Sequence, residues 1–262
     1  MSGFDRQAKQ LVLAMDHARA MGPVTGLERP EAVVDMAIEG GANAIMTSFG
    51  TLRLCKHQLA GAGMASILRL DGGVALVHET WLANSEYRLL HTLEEALSLG
   101  ADAVCLMYFM GAECEMETLE NVAEMASECE AAGMALMVEA LPCAHPNIPN
   151  PNDAGMMATA CRIAFEHGAD ILKTYYSGSV EGFRGVVEGT PAPVLIAGGP
   201  KLDSDEAVFA MVADVTAAGG KGVVFGRNIW QNTKPVAMMK ALGHVIRKEG
   251  SASEAAEIYA GG

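Results

Sequence analysis

Residues 168–176 read Gly-Ala-Asp-Ile-Leu-Lys-Thr-Tyr-Tyr (GADILKTYY). The glycine closes a segment with helical patterning, and the apolar pair Ile171-Leu172 opens a short run without polar alternation. Glycine is expected just beyond a helix, where the backbone takes positive φ. Short, uniformly apolar runs read as parallel strands buried on both faces. The same phrase recurs outward in both directions. It stands as GGANAIMTS at 40–48, GADAVCLMY at 100–108, GMALMVEA at 133–140 and GGKGVVFG at 219–226. Weaker copies are GMASILRL at 63–70 and PAPVLIAGG at 191–199, and an opening run LVLAMD occupies 11–16.

Amphipathic segments fill the intervals. In 115–132, Met116, Leu119, Val122, Met125 and Ala126 form an apolar stripe. Segment 203–218 has the acidic start that suits a helix N-terminus. Eight strand candidates, each followed by a helical or loop segment, predict an α/β fold closed into a (β/α)8 TIM barrel. A doubly wound open sheet is the structural alternative. No composition break divides the 262 residues, so 1–262 reads as one barrel domain. The segment HPNIPNPND at 145–153 follows the fifth strand and is expected to be a loop on the active-site face.

The formal net charge of −14, without any cluster of Lys and Arg, argues against a nucleic-acid partner. The six cysteines are scattered and form no CxxC pair, so neither a zinc knuckle nor a redox pair is expected. The opening MSGFDRQAKQ lacks a signal-peptide core, and no stretch approaches the roughly 18 apolar residues of a membrane span. The expectation is a reduced, cytoplasmic protein with no membrane partner.

Catalytic groups of such a barrel sit at the C-terminal ends of its strands. That rule selects Asp16, His17, Arg69, Asp71, Tyr108, Glu139, Lys173, Gly198-Gly199 and Gly226-Arg227. Lys173 is the most informative. Burying an ammonium is costly, which favours the neutral amine that a carbonyl-attacking nucleophile requires. The alternative is a lysine paired with a carboxylate for structure alone. Loops after strands seven and eight often form a phosphate site. Gly198, Gly199 and Gly226 would let backbone N–H groups approach phosphate oxygens, and Arg227 would add a forked cation. Ordinary tight turns would also explain these glycines. Asp16 reads as an acid/base group or as a brace for its loop, and Glu139 as a proton shuttle or as the structural partner of Lys173. The histidines show no HxxH or HxH spacing, and no GxSxG elbow occurs. No metal and no cofactor is therefore expected.

Taken together, MDHARAMGPVTGLE at 15–28, ADILKTYY at 169–176, PVLIAGGPK at 193–201, FGRNIWQ at 225–231 and KPVAMMKA at 234–241 resemble the archaeal-type class I aldolase family. That family includes fructose-bisphosphate aldolases, an aminodideoxyheptulosonate synthase and the autoinducer-2 thiolase. The resemblance implies that Lys173 is the Schiff-base lysine and Asp16 the strand-one carboxylate. It further implies that Gly198, Gly199, Gly226 and Arg227 cradle a phosphate, and that the chain forms a ring-like homo-oligomer such as a decamer. Sugar aldolases of the family carry a catalytic tyrosine on strand five, where this chain has Leu141 in Leu141-Pro142-Cys143-Ala144. The segments GPVTGLER at 22–29 and KTYY at 173–176 look closest to the thiolase branch. The expected function is class I aldolase chemistry on a small phosphorylated ketose or related carbonyl compound. The rival readings are thiolase-type acyl transfer on a phosphorylated dione, a phosphate-binding isomerase without an imine, and a non-catalytic sugar-phosphate-binding protein.

Overall fold

The computed structural model describes residues 4–73 and 87–262. His78, one of the histidines weighed above, lies outside the described residues. Eight parallel strands follow the chain: β1 (Gln10–Ala14), β2 (Ala44–Thr47), β3 (Ala65–Arg69), β4 (Ala103–Met110), β5 (Ala135–Pro142), β6 (Ile171–Thr174), β7 (Val194–Ala197) and β8 (Gly222–Phe225). Each pairs with its sequence neighbours, and β8 returns to β1 with Gln10 opposite Gly222, closing the barrel.

The helices are α1 (Ala18–Met21), α2 (Pro30–Glu39), α3 (Phe49–Ala62), α4 (Leu93–Leu99), α5 (Glu115–Ala132), α6 (Ala154–Glu166), α7 (Val180–Glu188), α8 (Asp205–Ala217), α9 (Arg227–Trp230), α10 (Pro235–Lys248) and α11 (Ala252–Gly261). Their ends follow from local chemistry. Thr92 and Glu95 form a reciprocal capping box at α4, and Asp153, Ser179 and Ser204 accept backbone N–H bonds at the starts of α6, α7 and α8. Gly100 ends α4 and Gly133 ends α5 at φ of 73° and 67°, which a side chain with a Cβ rarely adopts. These turns are why the Gly-then-apolar phrase recurs.

The apolar runs alternate after all, between two buried layers. Val12, Ala44, Met46, Ile67, Cys105, Met137, Ile171, Leu195 and Val224 fill the barrel interior. Their strand neighbours, among them Leu11, Leu13, Ile45, Leu68, Val104, Leu136, Leu172 and Val223, pack outward against the helices. Each fully buried aliphatic side chain contributes about 1.5–3 kcal/mol. Both faces are therefore apolar, as parallel strands under a helical shell require.

Two features were not expected. Asp71–Gly72 pairs antiparallel with Arg88–Leu89, and α1 and α9 are single turns directly after β1 and β8. No helix of the described residues is long and apolar enough to cross a membrane.

Candidate active site

The seven residues expected to carry function come from β1, β5, β6, β7 and β8 and line one cavity at the C-terminal end of the barrel. Its open volume, mouth included, is about 770 Å³. Asp16 stands two residues beyond β1, Glu139 lies on β5, Lys173 on β6, Gly198 and Gly199 just past β7, and Gly226 and Arg227 just past β8.

Its floor is a chain of buried charges. Lys173 Nζ lies 2.7 Å from Glu139 Oε2. The same oxygen accepts a hydrogen bond from Arg69 Nη2 at 2.5 Å. Arg69 Nε donates to Asp16 Oδ2 at 3.0 Å, and Arg69 Nη1 faces Asp71 Oδ1 at 3.5 Å. Asp71 in turn accepts the backbone N–H of Met107. All five residues are 8% exposed or less, so none of these charges is balanced by bulk water. Arg69, the last residue of β3, neutralises carboxylates from three other places in the chain.

This arrangement sets the protonation states. Burial alone would raise the carboxyl of Asp16, but Arg69, His17 and Arg19 together hold it well below the usual carboxylate range. Burial opposes ionisation of Glu139 too, and Lys173 with Arg69 outweighs it, so Glu139 is also lowered. Asp71 goes the other way, since burial outweighs Arg69 and Arg19 and raises it. Burial lowers His17 more than Asp16 raises it, which leaves a neutral imidazole at neutral pH.

The rim beside Lys173 is made of glycines for steric reasons. A Cβ on Gly226 would lie 2.5 Å from His17 Cε1 and 2.9 Å from the Ala14 carbonyl oxygen. Gly199 holds φ at 63°. Asn228 ties the two glycine loops together, donating to Gly198 O at 2.9 Å and accepting from Leu202 N at 2.8 Å. Trp230 Nε1 donates to Ala14 O at 3.0 Å and fixes the β8 loop to β1. Arg227 is half-buried at this rim, and its Nε has no hydrogen-bond partner among the described residues. The rim thus presents a free guanidinium N–H beside two backbone turns, which suits an anionic group.

Other expected residues fall elsewhere. Tyr108 does not face the cavity, because it occupies the outward register of β4 and donates to Glu115 Oε1 at 3.0 Å. Its neighbour Met107 lines the cavity instead. Asp71 is buried behind Arg69, and residues 145–153 contribute nothing to the cavity wall. His17 lines the cavity with its ring edge against Trp230. Two polar cavity residues were missed, Arg19 and Tyr175. The spacing of Tyr175, two residues from Lys173 and just past the end of β6, was the available signal. Among the described residues, no group of His, Cys, Asp or Glu is arranged to hold a metal ion.

A buried primary amine at the mouth of a parallel barrel, with a carboxylate in contact and a glycine-rich rim beside it, is equipped to hold a carbonyl carbon covalently. Comparison with known proteins agrees with that class. Residues 10–232 match the family model described as DeoC/LacD family aldolase, and the chain belongs to that family. It is 33% identical over 260 residues to an uncharacterised aldolase of Saccharolobus solfataricus, covering 97% of this chain and 95% of that protein. It is 33% identical over 254 residues to the 3-hydroxy-5-phosphonooxypentane-2,4-dione thiolase of Escherichia coli strain K12, covering 97% of this chain and 82% of that one. Among solved structures it is similar to an archaeal fructose-1,6-bisphosphate aldolase whose catalytic lysine is covalently bound to the carbinolamine intermediate of its substrate. That likeness has a TM-score of 0.83 and 27% identity, over 93% of this chain and 96% of the other.

Proposed function

We propose that this aldolase-family enzyme makes or breaks a C–C bond in a small phosphorylated carbonyl compound through a Schiff base on Lys173. The observation that carries the reading is the contact between Lys173 Nζ and Glu139 Oε2, in a cavity that also holds the Gly198-Gly199 and Gly226-Arg227 rim. Glu139 takes a proton from Lys173 Nζ, and the freed amine attacks the substrate carbonyl. One N–H proton passes to the former carbonyl oxygen and Glu139 returns its own proton to the same oxygen, so water leaves, a protonated imine remains and Glu139 is again a carboxylate. The carboxylates of Asp16 and Glu139 stabilise that cation. The imine then accepts the electron pair of the adjacent C–C bond as an enamine forms. Because the imine is the electron sink, the step needs no metal ion. A phosphate on the rim fixes the reacting carbon over Lys173, an orientation effect that contributes several kcal/mol.

Borohydride trapping with phosphorylated ketoses, aldehydes and diones tests this. The expected result is a substrate-sized adduct on Lys173, found by intact mass and peptide mapping. A folded protein that gives no adduct with any of them overturns the reading.

A second reading has its own support. Similarity to a thiolase acting on a phosphorylated dione, and Leu141 lining the cavity, favour acyl transfer from a Lys173-bound dione. Transfer of an acyl group to added coenzyme A would select it over aldol chemistry.

All six cysteines are free and five are buried, which supports a reducing, cytoplasmic setting. Exposed Leu54, Leu90, Leu97 and Met116 offer apolar surface that a homo-oligomer would cover, and light scattering tests that assembly.

A further inference from the structure

Four of the five tyrosines have hydroxyls engaged in structural hydrogen bonds. Tyr87 accepts from Arg19 at 2.7 Å, while Tyr108 donates to Glu115, Tyr176 to Asp214 and Tyr259 to Asn232. Tyr175 differs. Its side chain lines the Lys173 cavity, and its hydroxyl has no hydrogen-bond partner among the described residues. Glu139 and Lys173 are cross-strand partners, so continuing that register by two places sets Tyr175 beside Leu141. Leu141 shares a small apolar cluster with Met107 and Phe109 of β4, and Tyr175 packs against that cluster. The phenolic oxygen is near enough to Glu139 and Arg227 for both charges to act on it.

Imine chemistry creates a demand that the groups described so far do not meet. When a C–C bond breaks, the electron pair is left in an enamine whose carbon must take up a proton. Asp16 and Glu139 have no proton to give, because Arg69 holds both as carboxylates. Lys173 is consumed in the imine. His17 is neutral, but its Nδ1 faces Asp16 Oδ1 at 3.7 Å and its ring lies edge-on to Trp230, on the β8 side. Tyr175 keeps its proton: burial, assisted by the Glu139 charge, pushes its hydroxyl up to about 12.

Resting on the Lys173 imine reading, we propose that Tyr175 is a catalytic acid of this site and delivers its phenolic proton to the enamine carbon of the Lys173-bound substrate. The O–H bond of Tyr175 breaks and a C–H bond forms. The enamine π electrons make that bond, and the nitrogen lone pair restores the protonated imine. The phenolate is left near the Arg227 guanidinium and regains its proton from water. Run in reverse, the step removes an α-proton from the imine of a bound ketone, so that proton exchanges with solvent.

The test uses dihydroxyacetone phosphate as probe, with wild type, Tyr175→Phe and Tyr176→Phe. Phenylalanine keeps the ring packed and removes only the hydroxyl. Two readouts are taken: borohydride trapping on Lys173, and deuterium uptake into the probe's α-carbon in heavy water. The expected result is unchanged trapping in all three proteins, with exchange slowed about 10²–10⁴-fold in Tyr175→Phe alone. Trapping with unchanged exchange in Tyr175→Phe overturns the assignment and leaves the imine reading standing. Trapping without any exchange in the wild type also overturns it. No trapping in the wild type with dihydroxyacetone phosphate or with any of the other phosphorylated ketoses, aldehydes and diones overturns the imine reading, and the Tyr175 assignment with it.

Discussion

Glu139 and Lys173 stand directly opposite each other on adjacent strands β5 and β6, and their side chains meet at 2.7 Å. The contact is asymmetric in its dependence, because Glu139 also holds Arg69 whereas Lys173 has only Glu139 as a salt-bridge partner among the described residues. Lys173→Met removes a buried cation yet leaves Glu139 paired. It should abolish borohydride trapping and turnover while the urea midpoint changes little. A variant that traps substrate on another lysine would contradict the assignment.

Arg69→Met should be far more damaging. It strips one cationic partner from each of Asp16, Glu139 and Asp71 at once, inside a dry site. Breaking one buried pair by removing one partner costs about 3–5 kcal/mol. Arg69→Met should therefore lose soluble folded protein, or show a urea midpoint far below that of Lys173→Met. Near-wild-type stability would mean that the charge network is not structurally important.

Stability should fall on the acid side through Asp16 and Glu139. Both carboxyls are lower in the folded protein than in the unfolded chain, so their contribution is complete above the ordinary carboxylate range, near pH 4. It is lost as pH falls through their folded values. Asp71, which is raised, has the opposite sign and offsets part of the loss. Thermal melts between pH 3 and 7 should show a steeper acid decline for wild type than for Glu139→Gln, which cannot titrate at that position.

Arg227→Met should weaken capture of the substrate phosphate. Charge-assisted hydrogen bonds contribute about 1.5–3 kcal/mol, which corresponds to roughly 10–100-fold in KM for phosphorylated substrates. Trapping of an unphosphorylated ketone should be unchanged. Gly226→Ala should act on the same KM by a steric route, since its Cβ would press on His17 and the Ala14 carbonyl. Gly199→Ala meets no atom within 4 Å and carries only backbone strain at φ 63°, so it should be the milder change.

Turnover should survive exhaustive dialysis against a chelator, because the protonated imine supplies the electron sink. Loss of activity that returns with a divalent cation would overturn that expectation.

The barrel was legible because its strands and turns are written locally. Gly100 and Gly133 end helices by left-handed geometry, and the next apolar run must then be a strand. The bounds of helix 115–132 were legible to the residue, but its buried face is Thr118, Val122, Met125 and Cys129, and Met116 of the expected stripe is exposed. Facing was harder. With both faces of β4 apolar, no polar residue anchors the alternation, and the expectation for Tyr108 fell one position out of phase with Met107. The role of Arg69 was not legible at all. Its partners Asp16 and Glu139 lie 53 and 70 residues away, and only closure of the barrel reveals that they share one guanidinium. Lys173 and the rim glycines were legible because the fold rule alone places strand ends and the last two loops at the site.

The Arg69 hub also bears on how the molecule is born. Asp16, Arg69 and Asp71 leave the ribosome well before Glu139 and Lys173, because synthesis runs from the N-terminus. An early fragment through β4 would hold one arginine between two carboxylates, with no lysine to complete the set. Charge matching at the barrel mouth therefore waits for β5 and β6. A nascent chain that ends before β6 lacks Lys173, so on the imine chemistry proposed above its reactivity toward carbonyl compounds is withheld until the second half of the barrel has closed over the first.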